Sequence, residues 1–379
     1  MLESGKLRVA DWQNQIKRVT KQLDKTNIRI LSAMWKYGPR NLLEVSRRTR
    51  IPFTSVYHRV GKLEEETGSI VRLSPRTSQL GMVRLVALVA ARPGFEDKTT
   101  AALKIPNLWR SVTPSEPPFT HHSVHAVPSK FLRDFRKYLA RLTDMKLTTH
   151  QKIMVTGDYV PNFPNFDYYN PKTKEWRFEW EKWLSTLKRS KPTKIIEDPE
   201  NYPIMVDRKD LLMVEELEKN ARTSYAAMSP ALGISLQGVK YHYDKKLVPS
   251  GIVRHFEIQV TPYPPNVSAH HELTLEFRNM LSMNRFFSLL GELFFVTGVA
   301  KVLRENMLLV RTYIPQDKVH SMFDFLSMMA RSNILESYSA VRLDFAGSET
   351  QQIPYALFDD KKGWVFDLRK CISKASKLR

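Results

Sequence analysis

The feature that most constrains this chain is that it resembles itself. Asp24 in LDKTNIRIL and Asp207 in VDRKDLLMV lie 183 positions apart, as do Ile51 and Ile234, while Ser69-Ile70-Val71-Arg72 and Gly251-Ile252-Val253-Arg254 lie 182 apart. Val127-Pro128 and Ile314-Pro315 follow at 187, and KEWRFEWEKWL at 174–184 and KGWVFDLRKCI at 362–372 at 188. Five landmarks in one order at nearly constant spacing read as two homologous halves with a few insertions. Whatever fold the 379 residues adopt must therefore solve the packing of one unit twice.

Each half opens with a helix-rich segment. After Asp24, Ile28, Leu31, Met34 and Trp35 fall at helical spacing, and Gly38-Pro39 ends the helix. A second helix is expected over Leu42–Thr49, then a turn at Arg50-Ile51-Pro52. A third runs over Thr54–Glu66 with Val56, Val60 and Leu63 inward. Gly68-Ser69-Ile70-Val71-Arg72-Leu73 reads as a turn and a β-wing, completing a winged helix-turn-helix. The plan recurs through Asp207–Leu217, Ser224–Leu232, Ser235–Lys246 and a wing over Gly251–Val260. Val56 and Leu63 are seven apart but Val239 and Leu247 are eight apart, so one residue is inserted near the end of the second half's third helix.

After each wing the pattern becomes βαββαβ. The first half gives Val83–Val89, a helix at Glu96–Lys104, Leu108–Thr113, Thr120–Val127, a helix from Pro128 with Phe131, Phe135, Tyr138 and Leu142 on one stripe, and Lys152–Thr156. The second gives Glu272–Phe277, Met280–Leu290, Val296–Leu303, Leu308–Ile314, Gln316–Ala330 and Tyr338–Phe345. The expected fold class is α+β: two winged helix-turn-helix units, each followed by a ferredoxin-like sandwich with one bare sheet face. The boundaries read as an amphipathic helix at 1–22, winged helices at 23–78 and 201–262, and βαββαβ domains at 79–157 and 263–347. An aromatic arm and linker occupies 158–200, and an aromatic, basic arm 348–379. In the first segment Val9, Trp12, Ile16 and Val19 form a narrow apolar seam. The arms, with Trp176, Trp180, Trp183, Trp364 and Phe366, suit a hairpin or helix that covers a sheet edge.

This succession resembles the Lrp/AsnC (feast/famine) transcription regulators. The residues that carry the resemblance are Leu23-Asp24, Val56-Tyr57-His58-Arg59-Val60-Gly61-Lys62-Leu63-Glu64, Gly68-Ser69-Ile70 and Leu80-Gly81. In the second half they are Asp207, Lys219-Asn220-Ala221-Arg222, Leu232-Gly233-Ile234-Ser235 and Gly251-Ile252. The resemblance implies a cytoplasmic, prokaryotic, non-enzymatic regulator whose partner is double-stranded DNA and whose two sensing sheets face each other, as a pseudo-dimeric monomer or a homodimer. The family's Gly-x-x-Asp-type turn is absent: Pro114-Ser115-Glu116-Pro117-Pro118 and Arg304-Glu305-Asn306 stand there, which leaves a small-molecule effector unassigned. Siroheme decarboxylases share the plan, so a tetrapyrrole enzyme is the alternative, and a protein- or RNA-binding scaffold a third.

Charge supports an anionic partner. Lys and Arg number 59 against 39 Asp and Glu, and residues 1–150 hold 27 of those bases and 12 of the acids, a surplus of +15 out of +20. On a groove-reading third helix, Thr54, Ser55, Tyr57, His58, Arg59 and Lys62 face outward. Arg59 suits guanine and Lys62 a phosphate, with Arg47, Arg48, Arg50, Arg72 and Arg76 flanking the duplex. In the second unit the set is Ser235, Gln237, Lys240, His242 and Lys245, beside an acidic helix bearing Glu215, Glu216 and Glu218.

Other classes fall away. Arg84 and Arg92, or Glu292 and Lys301, interrupt the longest apolar stretches, no secretory signal opens the chain, and Cys371 alone cannot form an internal disulfide or a CxxC site. His121, His122 and His125 form an HHxxH cluster, but on a strand His121 and His125 share a face that His122 does not. With no neighbouring Cys or carboxylate pair, neither a metal nor any cofactor is expected there.

Overall fold

The computed structural model describes residues 21–67, 70–260, 263 and 266–378; the apolar seam of residues 1–20 and the Gly68-Ser69 turn lie outside them. It is a mixed α+β chain. The first three-helix unit comprises α1 (Lys25–Tyr37), α2 (Leu42–Thr49) and α3 (Phe53–Thr67). Asp24 caps α1 by accepting from the Asn27 amide at 2.7 Å, and Gly38 at φ 94° ends it, a conformation without penalty only for glycine. Val56, Val60 and Leu63 are buried with Ile30, Leu31, Met34 and Val45, so the inward stripe lies where its spacing puts it.

The second unit comprises α7 (Arg208–Lys219), α8 (Tyr225–Leu232) and α9 (Leu236–Tyr241). Asp207 and Asp210 form a capping box at the start of α7. The inserted residue has a definite home: α9 runs into a π-helical turn over His242–Leu247, whose wider i→i+5 winding lets both Val239 and Leu247 stay buried. The wings depart from expectation. Strands β1 (Ile70–Ser74) and β9 (His255–Gln259) pair antiparallel with each other, so the two units share one wing sheet.

Between the units lie β2 (Met82–Ala91), α4 (Glu96–Lys104), β3 (Trp109–Pro114), β4 (His121–Pro128), α5 (Leu132–Asp144) and β5 (Thr148–Thr156). The first arm adds β6 (Val160–Pro161), the hairpin β7 (Tyr169–Asn170) and β8 (Glu175–Trp176), and α6 (Trp180–Arg189). After the second unit the order recurs as β10 (Ser268–Phe277), α10 (Met280–Ser288), β11 (Val296–Lys301), β12 (Met307–Pro315), α11 (Val319–Arg331) and β13 (Leu335–Leu343). The second arm then adds β14 (Glu349–Thr350), the hairpin β15 (Phe358–Asp359) and β16 (Gly363–Trp364), and α12 (Leu368–Ser376). The sheets run β14-β3-β4-β2-β5 and β13-β10-β12-β11-β6. Each thus takes its fifth, edge-covering strand from the other half.

The arms cross further. Trp183 of α6 packs on Phe325 of α11 at 5.3 Å, and Cys371 and Ala375 of α12 are buried with Phe135 and Leu139 of α5. The two bare sheet faces bury each other: Val86, Leu88, Val124 and Met154 meet Leu309, Val341 and Leu343. Bridges Thr156 to Val302 and Ser115 to Leu343 close both flanks. Each sheet thereby gains a strand on one edge and a cover for its apolar face within one chain. Among the described residues no helix is long and apolar enough to cross a membrane.

One end of this interface is charged. Arg311 donates to Glu272 Oε2 at 3.3 Å, and His122 Nε2 lies 3.3 Å from the same oxygen but off the hydrogen-bonding axis. The Arg84 and Arg311 guanidiniums flank the Tyr159 ring at 5.5 and 5.9 Å. Tyr159 can lie there because residue 298 is glycine: a Cβ would stand 2.1 Å from its hydroxyl. Burial alone would raise the Glu272 carboxyl, but Arg311, His122 and Arg84 hold it at about 2. Desolvation and the like charge of Arg311 bring Arg84 down to about 10. Glu272 therefore serves as counter-charge to both the buried Arg84 and the half-buried Arg311 guanidinium. Glu272→Ala leaves both short of a counter-charge and should destabilise the chain by about 3–5 kcal/mol in urea titrations, with Glu272→Gln milder.

Candidate functional site

A cleft of about 1570 Å³ lies between the first three-helix unit, the first arm and the second βαββαβ unit. One wall is the outer face of α1 with Arg29, Ser32, Trp35, Lys36 and Tyr37. The first arm, from Gly157 to Asp167, and residues 194–201 form the floor. Arg254 and His255 enter from the shared wing sheet, and Phe287, Leu290 and Lys301 close the far side. Trp35 stacks on Phe163 at 5.8 Å and 20°, and Phe163 leans on Phe166 at 5.5 Å, making a flat apolar shelf.

Above that shelf the lining is cationic. Arg29, Lys36, Arg48, Arg76, Lys194, Arg254 and Lys301 are present against Asp158, Asp167, Glu197, Asp198 and Glu200. Three of the bases are engaged: Arg48 with Glu44 at 2.8 Å, Arg76 with Asp158 at 3.3 Å and Lys301 with Asp198. Asp158 also accepts from the Ser78 amide at 2.9 Å and the Ser78 hydroxyl at 2.6 Å, which ties the start of the arm to the end of the wing. Arg29 donates to the Thr49 carbonyl; it, Lys36, Lys194 and Arg254 have no carboxylate partner among the described residues. His255 is half-buried, and desolvation, then Arg254 and Arg76, lower it from 6.5 to about 4. It stands as a neutral imidazole at physiological pH, fit to offer a nitrogen lone pair.

The other half does not keep such a cleft. The 183-residue offset pairs Trp35 with Glu218, which is buried, bonds Arg110 and accepts from the Ile353 amide at 2.8 Å. Trp364 is fully buried beside it and donates to the Leu80 carbonyl at 2.6 Å, while a Cβ on Gly81 would meet Ile204 at 2.6 Å. The equivalent space is filled by side chains.

The residues expected to meet DNA are distributed differently. Thr54, Tyr57, His58 and Lys62 on α3 are exposed and Ser55 half-exposed, as are Arg47 and Arg50 on α2 and its turn. Arg59 does not point outward: it bonds Asp24 at 3.0 Å and Asn27 at 2.9 Å, fastening α3 to α1. Arg72 pairs with Glu257 across the wing sheet at 2.8 Å, with its guanidinium pKa raised by that carboxylate, and Arg76 faces the cleft. In the second unit Gln237, Lys240 and Lys245 are exposed. Ser235 is spent capping α9, and His242, displaced by the π turn, bonds Asp210 beside Lys246. The wing pairing, the helix-start carboxylates and Asp158 of the first arm thus claim Arg72, Arg59, His242 and Arg76. Asp207, Asp210 and His242 lie close enough to share a cation, but the Lys246 ammonium already occupies that centre.

Nothing in the spacing marked the cleft, because its walls come from α1, the shared wing and the first arm. The local signal is Trp35, Lys36 and Tyr37 at the end of α1, where Lys36 and Tyr37 are exposed and Trp35 half-buried. The histidine strand follows its parity. His121 bonds Thr100 at 2.8 Å and His125 packs on Phe135 at 4.8 Å, both toward the helices, whereas His122 turns to Glu272 between the sheets.

No family model matches the chain. It is 44% identical over 55 residues to an uncharacterised HTH-type transcriptional regulator of Pyrococcus furiosus, a match spanning 14% of this chain and 36% of that one. An AsnC-family regulatory protein of known structure from the same organism covers 35% of this chain, with 88% of its own length, at 17% identity and a TM-score of 0.26. The siroheme decarboxylase NirDL matches 93% of this chain and 98% of its own, at 10% identity and a TM-score of 0.50. It has also been solved with an iron-uroporphyrin III analogue. That likeness is one of fold, and it corrects an expectation: a solved chain that spans the whole architecture is an enzyme, so the architecture does not imply a non-enzymatic role.

Six histidines are held neutral by burial. His121 and His122 are lowered, His125 and His270 to about 3, and His255 and His271 to about 4. The unfolded chain takes up these protons below about pH 6.5 and the folded chain does not. Stability should therefore be fully present above pH 6.5 and fall steadily toward pH 4, as read from the urea midpoint measured at successive pH values.

Proposed function

We propose that the cleft binds a polycarboxylated iron tetrapyrrole and that the chain removes carboxyl groups from it. The observation that supports this most directly is a cleft of about 1570 Å³ with an aromatic floor and a cationic rim. Its volume exceeds the roughly 300–1,000 Å³ of an ordinary small-molecule site, and its combination of flat apolar and cationic surfaces matches a macrocycle edged with carboxylates. In this reading the Trp35–Phe163 shelf lies against one face of the ring, Arg29, Lys36, Lys194 and Arg254 pair with its carboxylates, and His255 offers its neutral nitrogen to the iron. Decarboxylation of an acetate substituent breaks one carbon–carbon bond and releases carbon dioxide. The electron pair left on carbon takes one proton to give a methyl group, and no oxidant is consumed. The rim cations fix which substituents are bound as spectators.

A second reading keeps duplex DNA as a partner of the helix-turn-helix units. It rests on the exposed Thr54, Tyr57, His58, Lys62, Gln237, Lys240 and Lys245 and on the short likeness to an HTH-type regulator. An effector in the cleft would then be a regulatory ligand and leave unchanged.

Titration of the full chain with iron uroporphyrin III should saturate at one equivalent per chain, because the other half's space is filled. Arg254→Glu with Lys36→Glu should weaken binding at least about 10-fold, the equivalent of about 1.4 kcal/mol. His255→Ala should remove the nitrogen-ligated absorption spectrum, and in the unaltered chain that spectrum should fade only as the pH falls toward about 4. Incubation should yield products lighter by carbon dioxide. A chain that leaves the tetrapyrrole spectrum unchanged sinks the proposal, and bound but intact tetrapyrrole favours the regulatory reading.

A further inference from the structure

The cationic surplus that does not line the cleft has a definite place. α5 carries Arg133, Arg136, Lys137 and Arg141 against Asp134 and Asp144, and α12 carries Arg369, Lys370 and Lys374 with no acid, a net +5 for the pair. The corresponding pair over the other sheet is much weaker: α6 has Lys182, Lys188 and Arg189 against Glu181, and α11 has Arg331 against Asp324, a net +2. The two acids of α5 are already matched, Asp134 by Lys137 at 3.3 Å and Asp144 by Arg141 at 3.0 Å. Arg133, Arg136, Arg369, Lys370 and Lys374 are exposed and have no carboxylate partner among the described residues. Lys146 and Lys377 extend the same side at its ends.

The two helices present these charges as one rigid face. Cys371 and Ala375 are buried with Phe135, Leu139 and Leu142, Phe366 rests on Phe131 and Phe135 at 5.8 and 6.2 Å, and Lys130 Nζ donates to the Lys362 carbonyl at 3.2 Å. We propose that this α5/α12 face is a nucleic-acid docking surface that holds the phosphate backbone of a duplex without reading its sequence.

The chemistry of the face selects among polyanions. A membrane-binding helix needs large apolar side chains exposed beside its cations, and a protein interface is anchored by buried aromatic or aliphatic groups. None of the exposed large apolar side chains among the described residues lies on α5 or α12. What the face offers is three unpaired guanidiniums, whose planar fork grips phosphate oxygens, among lysines. α5 is about 20 Å long at 1.5 Å per residue, a length over which a duplex presents roughly 12 phosphate charges. The surface is separate from the cleft and from the helix-turn-helix units, so it depends on neither reading of those.

The test uses the full chain and a fluorescein-labelled random-sequence duplex of about 30 base pairs, read by anisotropy over a range of salt. The unaltered chain should bind, with affinity falling steeply as salt rises. Arg133→Gln, Arg136→Gln and Arg369→Gln together should weaken binding at least about 10-fold and reduce the log–log salt slope by about 0.9 for each phosphate left without its cation. The same variant should keep the circular dichroism spectrum and the iron uroporphyrin III titration of the unaltered chain. Arg47→Gln, Arg50→Gln and Lys240→Gln together should leave duplex affinity within about 2-fold. Loss of binding in that second variant and not in the first overturns the proposal in favour of the helix-turn-helix units. Absence of duplex binding, alone or with binding to phosphatidylserine-containing vesicles instead, overturns it outright.

Discussion

The structure depends on the mutual burial of two sheets that neither half could leave bare. A βαββαβ unit covers one sheet face with helices and leaves the other, together with an edge strand, to water. Here β2–β5 and β10–β13 supply each other's missing layer, and each half sends a two-residue strand, β6 or β14, to the far edge of its neighbour. Because the exchange is reciprocal, the arms must cross. Once they cross, the wings come together as β1 and β9, and the three-helix units are fixed to one another rather than left on independent tethers.

That crossing also makes the cleft. The first arm leaves β5 through Gly157 and Asp158, and Asp158 is held by Arg76, Thr77 and Ser78 just below the wing, so the arm starts beneath the wing and reaches α1 further on, where Phe163 stacks on Trp35. In the other half the corresponding passage is closed by Glu218, which uses both oxygens, and by the Trp364 indole. One scaffold therefore yields an open, cationic site and a closed, structural one. The difference traces to whether position 35 or its counterpart 218 carries a ring or a carboxylate. A ring offers a surface on which something can be stacked. A buried carboxylate demands partners of its own and draws Arg110 and the Ile353 amide in to fill the space.

Much of the scaffold was legible in the sequence because it is written in local periodicity. The inward stripe Val56, Val60 and Leu63, the side-switching of His121, His122 and His125 along one strand, and the order of strands and helices follow from spacings of 3.6 and 2 residues. Even the extra residue between Val239 and Leu247 left a trace, though not the π turn that absorbs it. The cleft was not legible, since its residues are separated by up to about 270 positions and meet only after the arms cross. Nor were the fates of Arg59 and Arg72. An arginine facing away from a helix core can be read as reaching for a phosphate, but Asp24 and Glu257, distant in sequence, reach it first.

Those ion pairs change what the net charge means. A surplus of +15 in the first 150 residues suggested a single cationic pole at one recognition helix. In the folded chain Arg72 is neutralised across the β1–β9 sheet and Arg76 by Asp158 of the first arm. Arg84 and Arg311 are buried around one carboxylate and one phenol ring, and the remaining cations divide between the rim of the cleft and the α5/α12 layer. A charge contributes to attraction at a distance only where solvent faces it and no counter-charge adjoins it. By that criterion the outside of the first helix layer is one such surface, and part of it comes from α12 at the far end of the chain. The first 150 residues supply Arg29, Lys36, Arg133 and Arg136, and the same crossing of arms that builds the site brings Lys194, Arg254 and Arg369 to join them.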